Sequence, residues 1–367
     1  MLWIDITDPK YALFFSSLLP HLREIDTVLV TTRKSAGYTE CASLLEKLGV
    51  EAICIGGESG YGGSGLEDKF LARIKRQEEF IALFKRVGLP RVFLTGASTD
   101  GAQSAFGLGI PVVHFSDTPM DSFEGGEAHI TLLSRLSLPL SSLIFYPFVV
   151  PKQAYSFFGV AEQNLIPYNF IDVALWLEVD RLKFSQEAKK AFLKKFGFAN
   201  ENKPLILARE EEYKAHYVKK KYPLFYEALH ALAKEANIII MPRYEREYLE
   251  AEFGSYPSVC VAKETLFTHE FYPCIDMLLG GGGTMNLESS FLGIPTLSTR
   301  SLLLYHDKYL LENSLMRHAK SLDEALRAFF DFRQRGFIRQ ENQRFFVPKG
   351  TLEVQNIITQ ITNRFYR

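Results

Sequence analysis

The sequence predicts an α/β protein of two Rossmann-like domains facing a cleft. Short apolar runs alternate with helical segments, the pattern of parallel βα units. That scheme occurs twice, on either side of a crossover at 166–177, and 367 residues suffice for two ordinary cores. Late in the second half an apolar run passes through four consecutive glycines, Gly280 to Gly283, straight into a helical segment.

In the first half the apolar runs at 2–6, 27–31, 52–55, 91–95, 111–115 and 142–146 read as strands. Helices at 9–22, 38–48 and 66–87 lie between them. The second half gives strands at 205–208, 236–241, 258–261, 276–279 and 296–298, with helices near 222–234, 243–250, 285–292 and 322–332. The domains are drawn at 1–168 and 169–350, and 351–367 forms a last helix long enough to cross back onto the first. Ligands of such sheets bind beyond the carboxyl ends of the strands.

Composition narrows the class. Hydrophobic residues at 47%, charged residues at 23% and a net charge of −1 describe a globular protein without a basic surface for nucleic acid. Cys41, Cys54, Cys260 and Cys274 are far apart and lack CxxC spacing, so they read as buried reduced thiols rather than zinc ligands. No apolar run reaches the ~18 residues that span a bilayer, and the N-terminus reads as a strand rather than a signal peptide. A cytoplasmic location is expected. Aromatics interleaved with basic residues at 344–347 and 363–367 suit peripheral contact with a membrane, and equally a helix packing its aromatic face on the protein.

The glycine run is the strongest functional signal. Glycine permits positive φ and lets a ligand approach main-chain N–H groups with no Cβ in the way. A helix starting near Thr284 offers unpaired N–H donors and a positive dipole end to phosphate. Gly281, Gly282, Gly283 and Thr284, with Asn286 in the first turn, are the candidate diphosphate site, and Glu288 can reach ribose hydroxyls. Tight helix-on-sheet packing also selects glycine at such a turn. No Gly-Lys-Ser/Thr ending follows, which argues against a P-loop. Arg209 and Arg243 each follow a strand, with Lys214 nearby. Guanidinium forks there would complete a diphosphate clamp, and surface pairing of Arg209 with Glu210 to Glu212 is the competing account.

In the first half Asp5, Thr7 and Asp8 end the first strand, where a carboxylate facing the cleft could serve as a general base. Asp8 before Pro9 is also a good N-cap, and the two roles are not exclusive. His114, Asp117, Glu124, Glu127 and His129 cluster after the fifth strand, a mixture suited to proton transfer. The glycine-rich stretch 56–65 reads as a lid or a plain surface loop.

These residues carry a resemblance. Residues 3–9, 134–140, 209–217, 241–244, 280–288 and 293–298 resemble a family of archaeal and bacterial proteins known as a domain of unknown function with a glycosyltransferase-B-like fold. The likeness runs over nearly the whole chain. More distantly, the glycine segment is similar to the Gly-Gly-x-x-x-Glu element of UDP-N-acetylglucosamine 2-epimerases and lipid-linked N-acetylglucosaminyl transferases. There the glycine turn holds diphosphate and the glutamate takes ribose, which implies the same for Gly281 to Thr284 and Glu288. Of the epimerase reaction-centre motifs only Glu127-Ala128 and Arg135 are present, with His129 where glycine would stand.

The leading expectation is a glycosyltransferase of this type. It would take a nucleotide sugar, with a UDP-linked one expected, and pass the sugar to an acceptor, whether glycan, lipid-linked or protein, with Asp8, Asp117 or Glu127 handling protons. No cofactor or metal is expected, since there is no Asp-x-Asp motif and the glycine N–H groups, helix end and arginines can meet the leaving diphosphate. A nucleotide-sugar epimerase or hydrolase of the same fold, or a non-catalytic sensor of nucleotide sugars, is the alternative.

Overall fold

A computed structural model describes residues 1–34, 39–56, 65–124, 127–211, 223–243, 246–264 and 266–366, with backbone alone at 66, 121–124 and 127–128. The chain divides into two compact units, Met1–Trp176 with Thr351–Arg367, and Leu177–Gly350.

The first unit runs β1 (Leu2–Ile6), α1 (Pro9–Arg23), β2 (Val28–Thr32), α2 (Glu40–Lys47), β3 (Ile53–Cys54), α3 (Leu66–Val87), β4 (Val92–Thr95) and α4 (Thr99–Gly107). It continues through β5 (Val112–Phe115), β6 (Met120–Glu124), β7 (Glu127–Ile130), α5 (Leu132–Ser137), β8 (Leu143–Pro147) and β9 (Leu165–Tyr168). Seven strands make a parallel sheet in the order β3-β2-β1-β4-β5-β8-β9, while β6 and β7 pair as an antiparallel hairpin. Every residue of β1 is buried, as a parallel strand covered on both faces requires. Trp3 packs against Phe80 and Phe84 of α3 and Phe93 of β4, with ring centroids 4.1 to 4.8 Å away.

Asp5 departs from expectation. Its carboxylate is sealed in this wall, forked by Arg76 of α3 at 2.9 and 2.6 Å and hydrogen-bonded by Thr31 and Ser98. It anchors α3 to the end of β1 rather than facing a cleft. A buried pair of this kind is costly to break from one side, about 3–5 kcal/mol.

The second unit runs α6 (Gln186–Lys195), β10 (Leu205–Arg209), α7 (Leu224–Leu232), β11 (Asn237–Met241), α8 (Arg246–Phe253), β12 (Val259–Val261), α9 (Thr268–Phe271) and β13 (Met277–Gly280). Then follow α10 (Gly283–Phe291), β14 (Thr296–Ser298), α11 (Tyr305–Glu312), β15 (Arg317–His318), α12 (Leu322–Gln334) and α13 (Gln343–Phe346). Its six strands are ordered β12-β11-β10-β13-β14-β15 and all pair in parallel. The core collects Ile206, Ala208, Ile238, Ile240 and Leu279 from the strands with Leu229, Leu232 and Phe329 from α7 and α12. The last helix, α14 (Val354–Phe365), lies against α1 of the first unit and buries Ile357, Ile358 and Ile361.

Of the four cysteines, Cys41 and Cys274 are buried, but Cys54 on the edge strand β3 is exposed and Cys260 half-buried. Among the described residues no helix is long and apolar enough to cross a membrane.

Candidate functional site

Sheet order locates the site in the second unit. From β10 the chain steps outward to β11 and β12, then returns to the other side of β10 with β13. Connections therefore leave β10 and β13 in opposite directions, and a crevice opens beyond their carboxyl ends, the usual ligand position of an open α/β sheet. Arg209, Glu210 and Glu211 follow one strand, and Gly281 to Gly283 the other.

None of the four glycines takes a positive φ; Gly282, for example, sits at φ −104° and ψ 142°. The expected need for a left-handed turn is thus replaced by a need for close approach. A Cβ on Gly280 would overlap the Asn286 amide, and one on Gly281 would overlap the backbone nitrogen of Glu211. The amide of Gly281 donates to the Arg209 carbonyl at 2.8 Å and that of Thr299 to the Gly280 carbonyl at 3.1 Å, drawing three loops together. A Cβ on Gly283 would stand 3.2 Å from Nη1 of Arg300, whereas one on Gly282 would meet only ordinary contact at 3.8 Å.

Helix α10 opens at Gly282 with no side-chain cap. Gly282 through Met285 are part-exposed, while Asn286 through Phe291 are buried. Main-chain donors at this start are therefore reachable, with a positive dipole end behind them. The Arg300 guanidinium lies at the same place, beside Gly283. It is ion-paired to Asp307, and the Arg300 carbonyl is hydrogen-bonded with the His318 ring at 2.9 Å. Arg300 is absent from the sequence-derived set, although it stands two residues beyond a strand end, the signal that singles out Arg209 and Arg243.

Several sealed polar atoms ring this turn. Both amide atoms of Asn286, Ser290 Oγ, Thr299 Oγ1 and Glu211 Oε2 have no hydrogen-bond partner among the described residues. Asn286 is fully buried, and an orphaned polar group in that state costs about 1–3 kcal/mol. All of these atoms are closed off from solvent in this structure, so the groups of the turn that face solvent are those of Gly282 to Met285. Glu211 hands its other oxygen to the Ser301 N–H and hydroxyl at 3.0 and 2.9 Å, and burial raises its pKa.

Arg209 and Arg243 stand at neighbouring strand ends, as expected. Arg209 Nη1 donates to the Pro242 carbonyl at 2.7 Å, closing the ends of β10 and β11. Arg243 is anchored through its own N–H, which donates to Glu210 at 3.0 Å; Glu210 also accepts from the Tyr226 hydroxyl. Glu288 lies in the buried half of α10 and accepts from the Tyr272 hydroxyl at 2.7 Å. Burial, then this carboxylate, hold that phenol well above its ordinary pKa. Lys214 lies outside the described residues, as does nearly all of the glycine-rich stretch 56–65.

The first unit has the corresponding crevice between β1 and β4. Asp8 caps α1 there, its Oδ1 accepting from the Lys10 N–H at 2.9 Å. Lys10 Nζ lies 2.5 Å from Asp117 and 2.5 Å from Asp172, whose other oxygen accepts from the Tyr168 hydroxyl. Burial works against the lysine charge, but Asp117 and Asp172 outweigh it and raise the Lys10 pKa well above the usual value. Lys10 and Asp172 are further residues absent from the sequence-derived set. His114 is not part of this group: it is buried on β5, hydrogen-bonded with Ser141, and burial lowers its pKa to about 3. Glu124 and Glu127 pair across the β6–β7 hairpin, with His129 exposed on the same ribbon.

The model of a family described as a protein of unknown function (DUF354) matches residues 1–351. The chain belongs to this DUF354 family. An uncharacterized protein of Methanocaldococcus jannaschii is 29% identical over 331 residues, covering 88% of this chain and 89% of its own. Among solved structures, the UDP-GlcNAc 2-epimerase of Neisseria meningitidis bound to UDP-GlcNAc superposes with a TM-score of 0.73 at 15% identity, covering 99% of both chains. The M. jannaschii UDP-GlcNAc 2-epimerase in complex with UDP-GlcNAc and UDP gives 0.72 at 14% identity, again over 99% of each. This DUF354 chain thus has two Rossmann-like domains of the glycosyltransferase-B-like kind.

Proposed function

We propose that this protein is an enzyme acting on a nucleotide sugar, with the nucleoside diphosphate bound at the α10 start of the second unit. The observation that carries the reading is the uncapped, Cβ-free helix start at Gly282 and Gly283 with the Arg300 guanidinium beside it. Main-chain donors and a fixed cation held in place before binding suit a diphosphate in both ground state and leaving-group form. Thr284 and Asn286 add polar contacts, and Glu288, oriented by Tyr272, takes the ribose. Arg209 and Arg243, at neighbouring strand ends, complete the proposed clamp on the diphosphate, and Arg209 also ties the ends of β10 and β11 together. A UDP-linked sugar is the favoured donor, because the structurally similar epimerases are described with UDP-GlcNAc.

Proton handling falls to the first unit. Asp117, held by Lys10, is the proposed base, with Glu127 as the second carboxylate and Asp8, which caps α1 through one oxygen, as a third candidate. Transfer of the sugar to an acceptor hydroxyl, with the diphosphate leaving, is the reading carried from the sequence. Epimerisation or hydrolysis of the same donor is favoured by the epimerase likeness over both full chains. Incubating the protein with UDP-GlcNAc alone separates them, since a 2-epimer or free UDP without acceptor belongs to the second.

A thermal-shift panel of UDP, GDP, CMP and dTDP sugars tests the proposal as a whole, because a ligand of the folded state stabilises it by mass action. UDP sugars should raise the melting temperature most. No shift with any nucleotide sugar at millimolar concentration would remove the reading.

A further inference from the structure

One flank of the first unit exposes a contiguous run of apolar side chains. On α3, Phe70 is 61% exposed, Leu71 55%, Ile74 40% and Ile81 43%. Phe70, Ile74 and Ile81 recur at helical spacing and share one stripe. The stripe extends sideways, because Arg73 and Gln77 of α3 hydrogen-bond Gln103 of α4, whose amide in turn reaches the Leu136 carbonyl of α5. Those neighbours expose Phe106, one turn from Gln103, and Leu132. A monomer rarely leaves a patch of this extent uncovered.

Charge indicates what covers it. Helix α3 begins with Glu67 and Asp68 and ends with Lys85 and Arg86, all exposed. Glu67 and Lys85 are about five turns apart and so face the same way. If a second copy of α3 is laid antiparallel, its basic end meets the first copy's acidic end, and Leu71 meets Ile81. A lipid surface fits less well, since half of the stripe is flanked by acid. The helices α3, α4 and α5 are 22, 9 and 6 residues long, or ~33, ~14 and ~9 Å, so strips about 10 Å wide offer roughly 550 Å² per chain, about 1,100 Å² between two copies and just above the lower bound for a specific interface. We propose that the exposed face of α3, α4 and α5 is the interface of a two-fold homodimer in which the two α3 helices pack antiparallel.

Sedimentation velocity on the full chain at micromolar concentration tests this. Wild type should sediment at twice the 41.8 kDa of one chain, and Ile81→Asp at the single mass with an unchanged far-UV spectrum. Glu67→Lys and Lys85→Glu should each weaken dimerisation about tenfold, as like charges meet, and the double variant should restore it. A monomeric wild type, or a dimer indifferent to Ile81→Asp, overturns the proposal. Failure of the double variant to recover dimerisation overturns the antiparallel pairing. Binding of wild type, and not Ile81→Asp, to phosphatidylserine vesicles would assign the patch to lipid instead.

Discussion

Gly280 to Gly283 are adjacent, yet each answers a different demand. Gly280 and Gly281 leave room for Asn286 and for the Glu211 backbone, while a Cβ on Gly282 would meet only ordinary contact with Arg209. Gly281→Ala should therefore lower unfolding free energy by about 1–3 kcal/mol, as overpacking against backbone does. Gly282→Ala should stay within about 0.5 kcal/mol. Urea denaturation of the two variants measures both, and equal losses would mean that the turn is not packed as described. His114 makes a second prediction. Its pKa falls from 6.5 to about 3 on folding, so between those values the unfolded chain binds the extra proton. Stability from this residue is complete above pH 6.5 and declines as pH falls toward 3, by about 1.4 kcal/mol per unit. His114→Leu should flatten the measured pH dependence by that slope; an unchanged slope would place the ring in water.

At the level of elements, the sequence was most legible where apolar periodicity was strong. The helix expected at 66–87 and the strand at 296–298 have those bounds, and most others shift by a residue or two. The β6–β7 hairpin is not among the expected elements, although a Gly-Gly dipeptide between alternating residues is a sequence signal for one. Helix α6 was missed although Ser185 caps it, its hydroxyl accepting from the Ala188 N–H. The glycine turn is legible as a site, and Arg300 carries the same strand-end signal as Arg209 and Arg243, but Lys10 and Asp172 are not legible, since their partnership with Asp117 is tertiary and no local spacing encodes it. Within α10, Asn286 is the element's weak point for stability. Asn286→Leu removes two unpaired polar atoms without leaving a cavity, so stability should hold or rise by about 1–3 kcal/mol while nucleotide binding falls, the trade expected at a binding position. A loss of both in thermal and ligand titrations would make Asn286 structural.

For the whole molecule, the parallel sheets give each unit a crevice at a switch in strand order, between β1 and β4 in one and β10 and β13 in the other. The two crevices differ in chemistry. Beyond the strand ends of the first unit lie Lys10 after β1, Asp117 after β5 and Asp172 after β9, joined by ion pairs, and in the second unit an open helix start with Arg300. That division suits proton handling in one unit and diphosphate binding in the other. Calorimetric titration of UDP against wild type and Gly282→Val tests the central claim most directly. The φ and ψ of Gly282 are in the extended region that valine favours, its Cβ would lie 3.8 Å from Arg209 Cγ and 4.0 Å from the Glu210 carbonyl oxygen, and its methyl groups would add bulk at the helix start. The account predicts UDP binding to wild type and at least about tenfold weaker binding to a fully folded Gly282→Val; equal affinity in the two proteins would contradict it.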